Sequence, residues 1–430
     1  MTRRLTRMVF LSLLLVSLVS MPLFAAPTTI VVMTRVGPEG DAIKAVVPEY
    51  ERITGNKVVI DEAGRDGYFE RQAISLMAGT DVDVILYMSD YAAAWASAGL
   101  LAPMSDYLHS DESMDLDDFY PAMIDAFSYK GEIYGLPTDV STWLFHYNTK
   151  FLDETQVPET YDEYLELAKQ FTKKYNPDSP TEYGTNVRGM RGSESPIAEW
   201  FQILWAMGGE LFDENWRPRF NDEIGVAALE FHSGLFLEWG VVPPDVASLD
   251  AAGVIESFRQ EKSAFLQHWN SDTVIFMDPE RSPRVANNLG VTLIPGVRQP
   301  DGTIRRTPLT HGWGLGIPAS SRNKEAAADF IKWVTGTEAA RIYLLAGGTP
   351  ARQSVLSNPE FVSVRPELPI LAETLKYAKA KPSIPEWAQI SDILQVAHSR
   401  VFVGELTPKE ALDDAAQQVT ELLKAAGYYN

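Results

Sequence analysis

The sequence predicts an α/β fold of two domains built around a largely parallel sheet. Between Thr29 and Tyr87, apolar strand-like runs alternate with helical periodicity in the order βαβαβ, which a parallel sheet with helices on both faces produces. A length of 430 residues exceeds what one compact core holds, and a hydrophobic content of 45% suffices to fill two.

The elements follow in chain order. Arg3, Arg4 and Arg7 precede an apolar run over 8–24 and then Ala25-Ala26, the layout of a cleaved secretory leader; cleavage is placed after Ala25. The run is broken by Ser12, Ser17, Ser20 and Pro22 and falls short of the roughly 20 apolar residues of a membrane span. Residues 29–33 read as a buried strand. A helix over 41–54 carries Ile43, Val46, Val47, Tyr50 and Ile53 on one face and stops at Gly55, with Pro48 awkwardly inside it. A strand over 57–60, a helix with Phe69, Ala73, Leu76 and Met77 on one face, and a strand over 82–87 complete the unit. Ligands bind such sheets beyond the carboxyl ends of the strands, which directs attention to residues 34–40, 63–68 and 88–91.

Helices are expected at 161–175, 195–207, 224–239 and 251–260, then a strand over 263–267 running into His268-Trp269-Asn270. Residues 290–295 read as a strand, 296–306 as a hairpin or linker turning at Pro300-Asp301-Gly302, and 312–318 as another strand. A helix over 324–345 ends at Gly347-Gly348, and a last helix spans 408–426.

Composition excludes several chemistries. A formal charge of −21, more negative still once the leader's arginines are gone, repels nucleic acid and anionic lipid. Without cysteine there is no disulfide, thiolate metal site, cysteine nucleophile or lipid-modified cysteine. No P-loop, HExxH or Cys/His cluster occurs, and the six histidines are scattered, so neither a metal nor a cofactor is expected. Gly312-x-Gly314-x-Gly316 lies in a strand-like run closed by Pro318 and reads as packing. The acidic stretch 111–118 lacks the central glycine and distal glutamate of a calcium loop and reads as solvated surface. With 58 acids, no spacing singles out a catalytic carboxylate pair.

Residues 131–139, Gly-Glu-Ile-Tyr-Gly-Leu-Pro-Thr-Asp, followed by Phe145-His146-Tyr147-Asn148-Thr149-Lys150, resemble a passage of the family 1 extracellular solute-binding proteins, the maltose- and oligosaccharide-binding subunits of ABC importers. Ala78-Gly79-Thr80, 98–103, Lys324-Glu325-Ala326-Ala327, Thr349-Pro350-Ala351-Arg352 and 404–411 agree in the same order. The resemblance implies a type II periplasmic-binding-protein-like fold, two α/β lobes around a hinge and a ligand cleft. It places 26–138 plus 307–346 in one lobe and 139–306 plus 347–430 in the other. It also implies a periplasmic monomer without catalytic activity that binds a carbohydrate and delivers it to the importer's permease subunits. A non-sugar solute (a polyol phosphate, uronate or polyamine) and a secreted glycan-active enzyme stand as alternatives.

Sugars present C–H faces that pack on aromatic rings and hydroxyls that need donors and acceptors. The resemblance points to Trp269, directly after a strand, and to Asp90 flanked by Tyr87 and Tyr91. Asp90 also reads as a helix N-cap, Tyr87 as core, and Trp269 as interface burial. Trp143 and Asp139 lie by the first crossing strand, Trp313 between glycines that leave room for a ligand, and Trp387 at a proline-rich approach to a helix. Arg352 is a candidate donor to hydroxyls or a hinge ion pair. Arg35, Glu39 and Tyr68 complete the candidates from the first two loops.

Overall fold

The computed structural model describes residues 27–64, 67–192 and 195–429; the proposed leader lies outside them. Two long strands, Gly135–Asn148 and Leu309–Pro318, organise it, and every residue of both is buried. They run antiparallel, with Gly135 opposite Gly316 and Thr142 opposite Thr310. Past Thr142 the first strand leaves this partner and pairs instead with Phe265–Trp269, Trp143 lying opposite Trp269, and with Leu289–Thr292. Each long strand thus passes from one core into another. Their glycines admit close neighbours: a Cβ on Gly314 would stand 2.5 Å from the Phe127 ring, and one on Gly135 2.5 Å from the Tyr87 hydroxyl.

The βαβαβ unit is parallel as expected, with Thr29–Arg35 between Lys57–Ala63 and Val84–Met88. Leu309–Pro318 joins Val84–Met88 antiparallel, so the sheet is mixed rather than largely parallel. The reason is connectivity: the chain leaves along one long strand and returns along the other. Pro48 sits in the helix Pro38–Thr54 without ending it, because it lies on the exposed face, where the lost hydrogen bond opens to solvent. The expected helix over 324–345 is two, Lys324–Thr335 and Thr337–Leu345, separated by Gly336 in an extended conformation.

One apolar core draws on Ile30 through Val140 and Trp313 through Leu371. A second set of clusters holds Trp143, Trp200, Phe265, Trp387 and Val419 among others. Ala351, Val355, Leu356, Phe361, Leu368 and Leu371 pack in the first core although they follow its last strand. Among the described residues no helix is long and apolar enough to cross a membrane, and no group of three or more His, Asp or Glu is placed to hold a metal.

Candidate functional site

A cavity of about 750 Å³ opens between the two cores. From the first core it takes the loop after Thr29–Arg35, the start of the helix Tyr68–Ala78 and the turn after Val84–Met88. These lie beyond the carboxyl ends of parallel strands, where sheet geometry puts a crevice. The opposite side is built from Trp269, the loop 188–192 and the helix Trp387–Phe402.

On the first side, Trp313 is only 4% exposed. Phe69 stacks on it at 5.9 Å between ring centroids, and the Arg35 guanidinium stands 4.1 Å from its ring. Arg35 also donates to Glu39 at 2.9 Å, both side chains being buried. Tyr91 packs between Phe69 and Trp95. Asp90 receives a hydrogen bond from the Lys381 ammonium at 2.6 Å. It caps no helix: neither Ser89–Tyr91 nor Ala92–Ser97 has a side-chain cap. Its partner reaches it from the segment that follows the short strand Lys379–Ala380, so the pair ties the turn to the approach to Trp387.

On the second side, Trp269 is half-buried and backed by the fully buried Trp143, centroids 5.0 Å apart, with His311 at 4.4 Å. The Arg188 guanidinium lies 4.6 Å from the Trp143 ring and 5.9 Å from that of Trp269. A buried Glu199 stands 3.6 Å from Arg188 and 3.0 Å from His232, so the cation is balanced without solvent. The loop carrying it is pinned by Gly192, whose N–H donates to Gln395 at 2.9 Å, and by the Arg191–Asp392 ion pair. Asn270 fixes the approach of Trp269: its carboxamide accepts from the Thr142 N–H and donates to the Val140 carbonyl, on the long strand where it changes partners.

Of the twelve residues singled out in the sequence, Arg35, Glu39, Asp90, Tyr91, Trp269, Trp313 and Trp387 line this cavity. Five do not. Tyr87 is core, between Trp95 and Phe127, and burial pushes its phenol pKa up. Tyr68 is buried and donates to the Leu86 carbonyl at 2.6 Å. Trp143 stands behind Trp269 rather than beside it. Asp139 turns into the first core, accepting from the Thr349 N–H and the Tyr343 hydroxyl; burial, then the nearby Glu39, raise its pKa to about 7. Arg352 is buried over the Phe119 ring, donates to the carbonyls of Thr335 and Met114 and pairs with Asp118 at 3.2 Å. The glycines beside Trp313 make room for Phe127, Met123 and the Asp139 and Leu136 carbonyls, not for a ligand.

Sequence reasoning did not single out Arg188, Ser141, His311 or Gln395, all on the cavity wall, and read Phe69 as part of a core-facing helix stripe. Arg188 sits in an irregular stretch with no periodicity to mark it. Phe69 had one usable signal, its place at the helix start just beyond a strand end.

A model of the bacterial extracellular solute-binding protein family matches residues 36–341. A probable amino-acid ABC transporter periplasmic-binding protein of Sinorhizobium fredii is 24% identical over 402 residues, covering 91% of this chain and 88% of that protein. The mannitol-binding protein of Pseudomonas aeruginosa is 26% identical over 409 residues, covering 90% and 87%. An ABC transporter solute-binding protein from Agrobacterium radiobacter K84, solved in complex with ribitol, superposes with a TM-score of 0.81 at 26% identity, over 92% of this chain and all of that one. Long strands that pass between two α/β cores, a cavity between those cores, and matches of this extent agree: the chain belongs to the bacterial extracellular solute-binding protein family.

Proposed function

We propose that this chain is the extracytoplasmic binding component of an ABC importer and that it captures a small uncharged polyhydroxyl compound, a sugar or sugar alcohol, in the cavity between its lobes. The observation that carries the ligand class is charge pairing. Each cation at the cleft has a carboxylate against it: Arg35 with Glu39, Arg188 with Glu199, Arg191 with Asp392 and Lys381 with Asp90. Among the described residues no cation of the cavity lining is left over to balance an anionic ligand, while the pairs present acceptors and donors side by side, as a diol requires. Trp269 supplies the apolar surface for C–H faces. The relatives named for mannitol and crystallised with ribitol support this class.

In this reading Trp269, Asp90, Arg188, Tyr91 and Trp387 contact the ligand, and Trp143, Asp139 and Arg352 support the frame. We assign 26–138 and 307–375 to the first lobe, because 347–375 packs in its core, and 139–306 and 376–430 to the second. The chain acts as a periplasmic monomer after loss of its leader, and it performs no chemistry on what it binds. Titration calorimetry of the mature chain against D-mannitol, ribitol, D-glucose, maltose, D-glucuronate and putrescine tests the proposal. A 1:1 complex with one of the four neutral compounds, recovered unaltered, is expected. Binding of D-glucuronate or putrescine alone would overturn the ligand class, and conversion of the ligand would overturn the binding role.

A further inference from the structure

We infer that the second lobe carries another saccharide site, separate from the cleft and sized for one pyranose unit. A pocket of about 320 Å³ lies between residues 205–216 and 379–382. Trp205, Phe212 and Trp216 give it three aromatic walls, and Glu210 and Lys379, paired with each other, give it an acceptor beside a donor. The Lys379 ammonium also stands 5.0 Å from the Trp205 ring. Its charged residues, Glu210, Asp213, Glu214, Lys379 and Lys381, are not in cationic excess, so an anion is disfavoured. Rings flanked by a paired donor and acceptor are the chemistry that recognises a sugar.

An independent observation is the backbone of Trp216. It has a φ of 62°, the left-handed region that side chains other than glycine and asparagine avoid. It occupies a tight turn in which the Asp213 carboxylate accepts from the N–H groups of Asn215 and Arg217, both at 2.8 Å. Glycine would make this turn without strain. The indole that replaces it is held at the pocket, 5.7 Å from Phe212 and edge-on to Tyr428 at 5.6 Å. Strained positions cluster at functional sites. The pocket also touches the cleft's machinery, since Lys381 lines it while its ammonium holds Asp90.

The test uses the whole mature chain labelled with 5-fluorotryptophan, its ten indole resonances assigned by single Trp→Phe variants. Methyl α-D-glucopyranoside, methyl α-D-mannopyranoside and methyl β-D-galactopyranoside are titrated in turn. At least one should shift the Trp205 and Trp216 resonances together, with the same midpoint in the wild type and in Trp269→Ala, which separates this site from the cleft whatever the cleft binds. Trp216→Gly, which relieves the turn and so keeps the fold, should weaken the Trp205 response at least tenfold. The inference is overturned if none of the three glycosides moves Trp205 and Trp216, if their shifts disappear in Trp269→Ala, or if Trp216→Gly leaves the Trp205 titration unchanged.

Discussion

The two walls of the cleft are built on opposite plans. On the first-lobe wall the groups are already satisfied by one another: Phe69 and Arg35 cover Trp313, Tyr91 lies between two rings, and Asp90 is held by Lys381. On the second-lobe wall Trp269 stays half-buried, braced from behind by Trp143 and aligned by Asn270, with a ring surface still to be covered. A finished surface sets shape and polarity, and an unfinished one gains most when a ligand closes over it. The second lobe should therefore supply most of the binding energy and the first most of the discrimination.

The largest expected effect strikes the finished wall. Lys381→Met leaves the nearly buried Asp90 without its cation and should cost about 3 kcal/mol in urea unfolding; Lys381→Met with Asp90→Asn should recover most of that. If the single variant unfolds like the wild type, the pair is not a structural tie. Next comes Trp269→Ala, expected to weaken ligand binding about 100-fold, near 2.7 kcal/mol, while costing about 1–2 kcal/mol of stability. Calorimetry showing less than a fivefold change would move the anchor to the other wall. Phe69→Ala uncovers Trp313 and should alter affinity by less than about fivefold while costing about 1–2 kcal/mol of stability, as a half-buried ring does. Affinity as damaged as in Trp269→Ala would erase the contrast.

A titration separates the two halves of Gly135–Asn148. Asp139, raised to about 7, stabilises the fold fully only below its ordinary range near 4, and that contribution fades as pH rises to 7. His146, lowered to about 3 by burial, acts oppositely, and its contribution is lost as pH falls from about 6.5. Relative to the wild type, Asp139→Asn should therefore gain stability from pH 4.5 to 7.5, and His146→Gln should gain it in the reverse direction. Parallel urea curves for both variants at the two pH values would refute the assignment.

The βαβαβ unit and the C-terminal helix were legible because local periodicity encodes them. The antiparallel return of Leu309–Pro318 was not, since no local pattern states which strand a distant segment will join. Three of the misplaced site residues, Asp139, Trp143 and Tyr87, share one cause. Gly135–Asn148 is buried on both faces, so the alternation that normally separates core from crevice is silent there, and Asp139 and Trp143 looked as available as any ligand contact. Tyr87 poses the same problem on the strand Val84–Met88. Trp269 and Asp90 were easier, because both follow a strand end, where the chain leaves the sheet. Arg352 shows the limit of residue type: its hydrogen bonds are real, but they go to Thr335, Met114 and Asp118.

The first core gathers residues from Ile30 to Leu371, with most of the second lobe inserted between its early and late parts. A chain emerging from the ribosome cannot complete either lobe until Leu309–Pro318 has been made; the first lobe must also wait for the segment ending at Leu371, and the second for the helices that carry Trp387 and Val419. Such long-range closure makes folding slow. If the chain is exported as proposed, late assembly is an advantage: a chain not yet closed into its cores passes a membrane more readily, and the two cores form together on the far side.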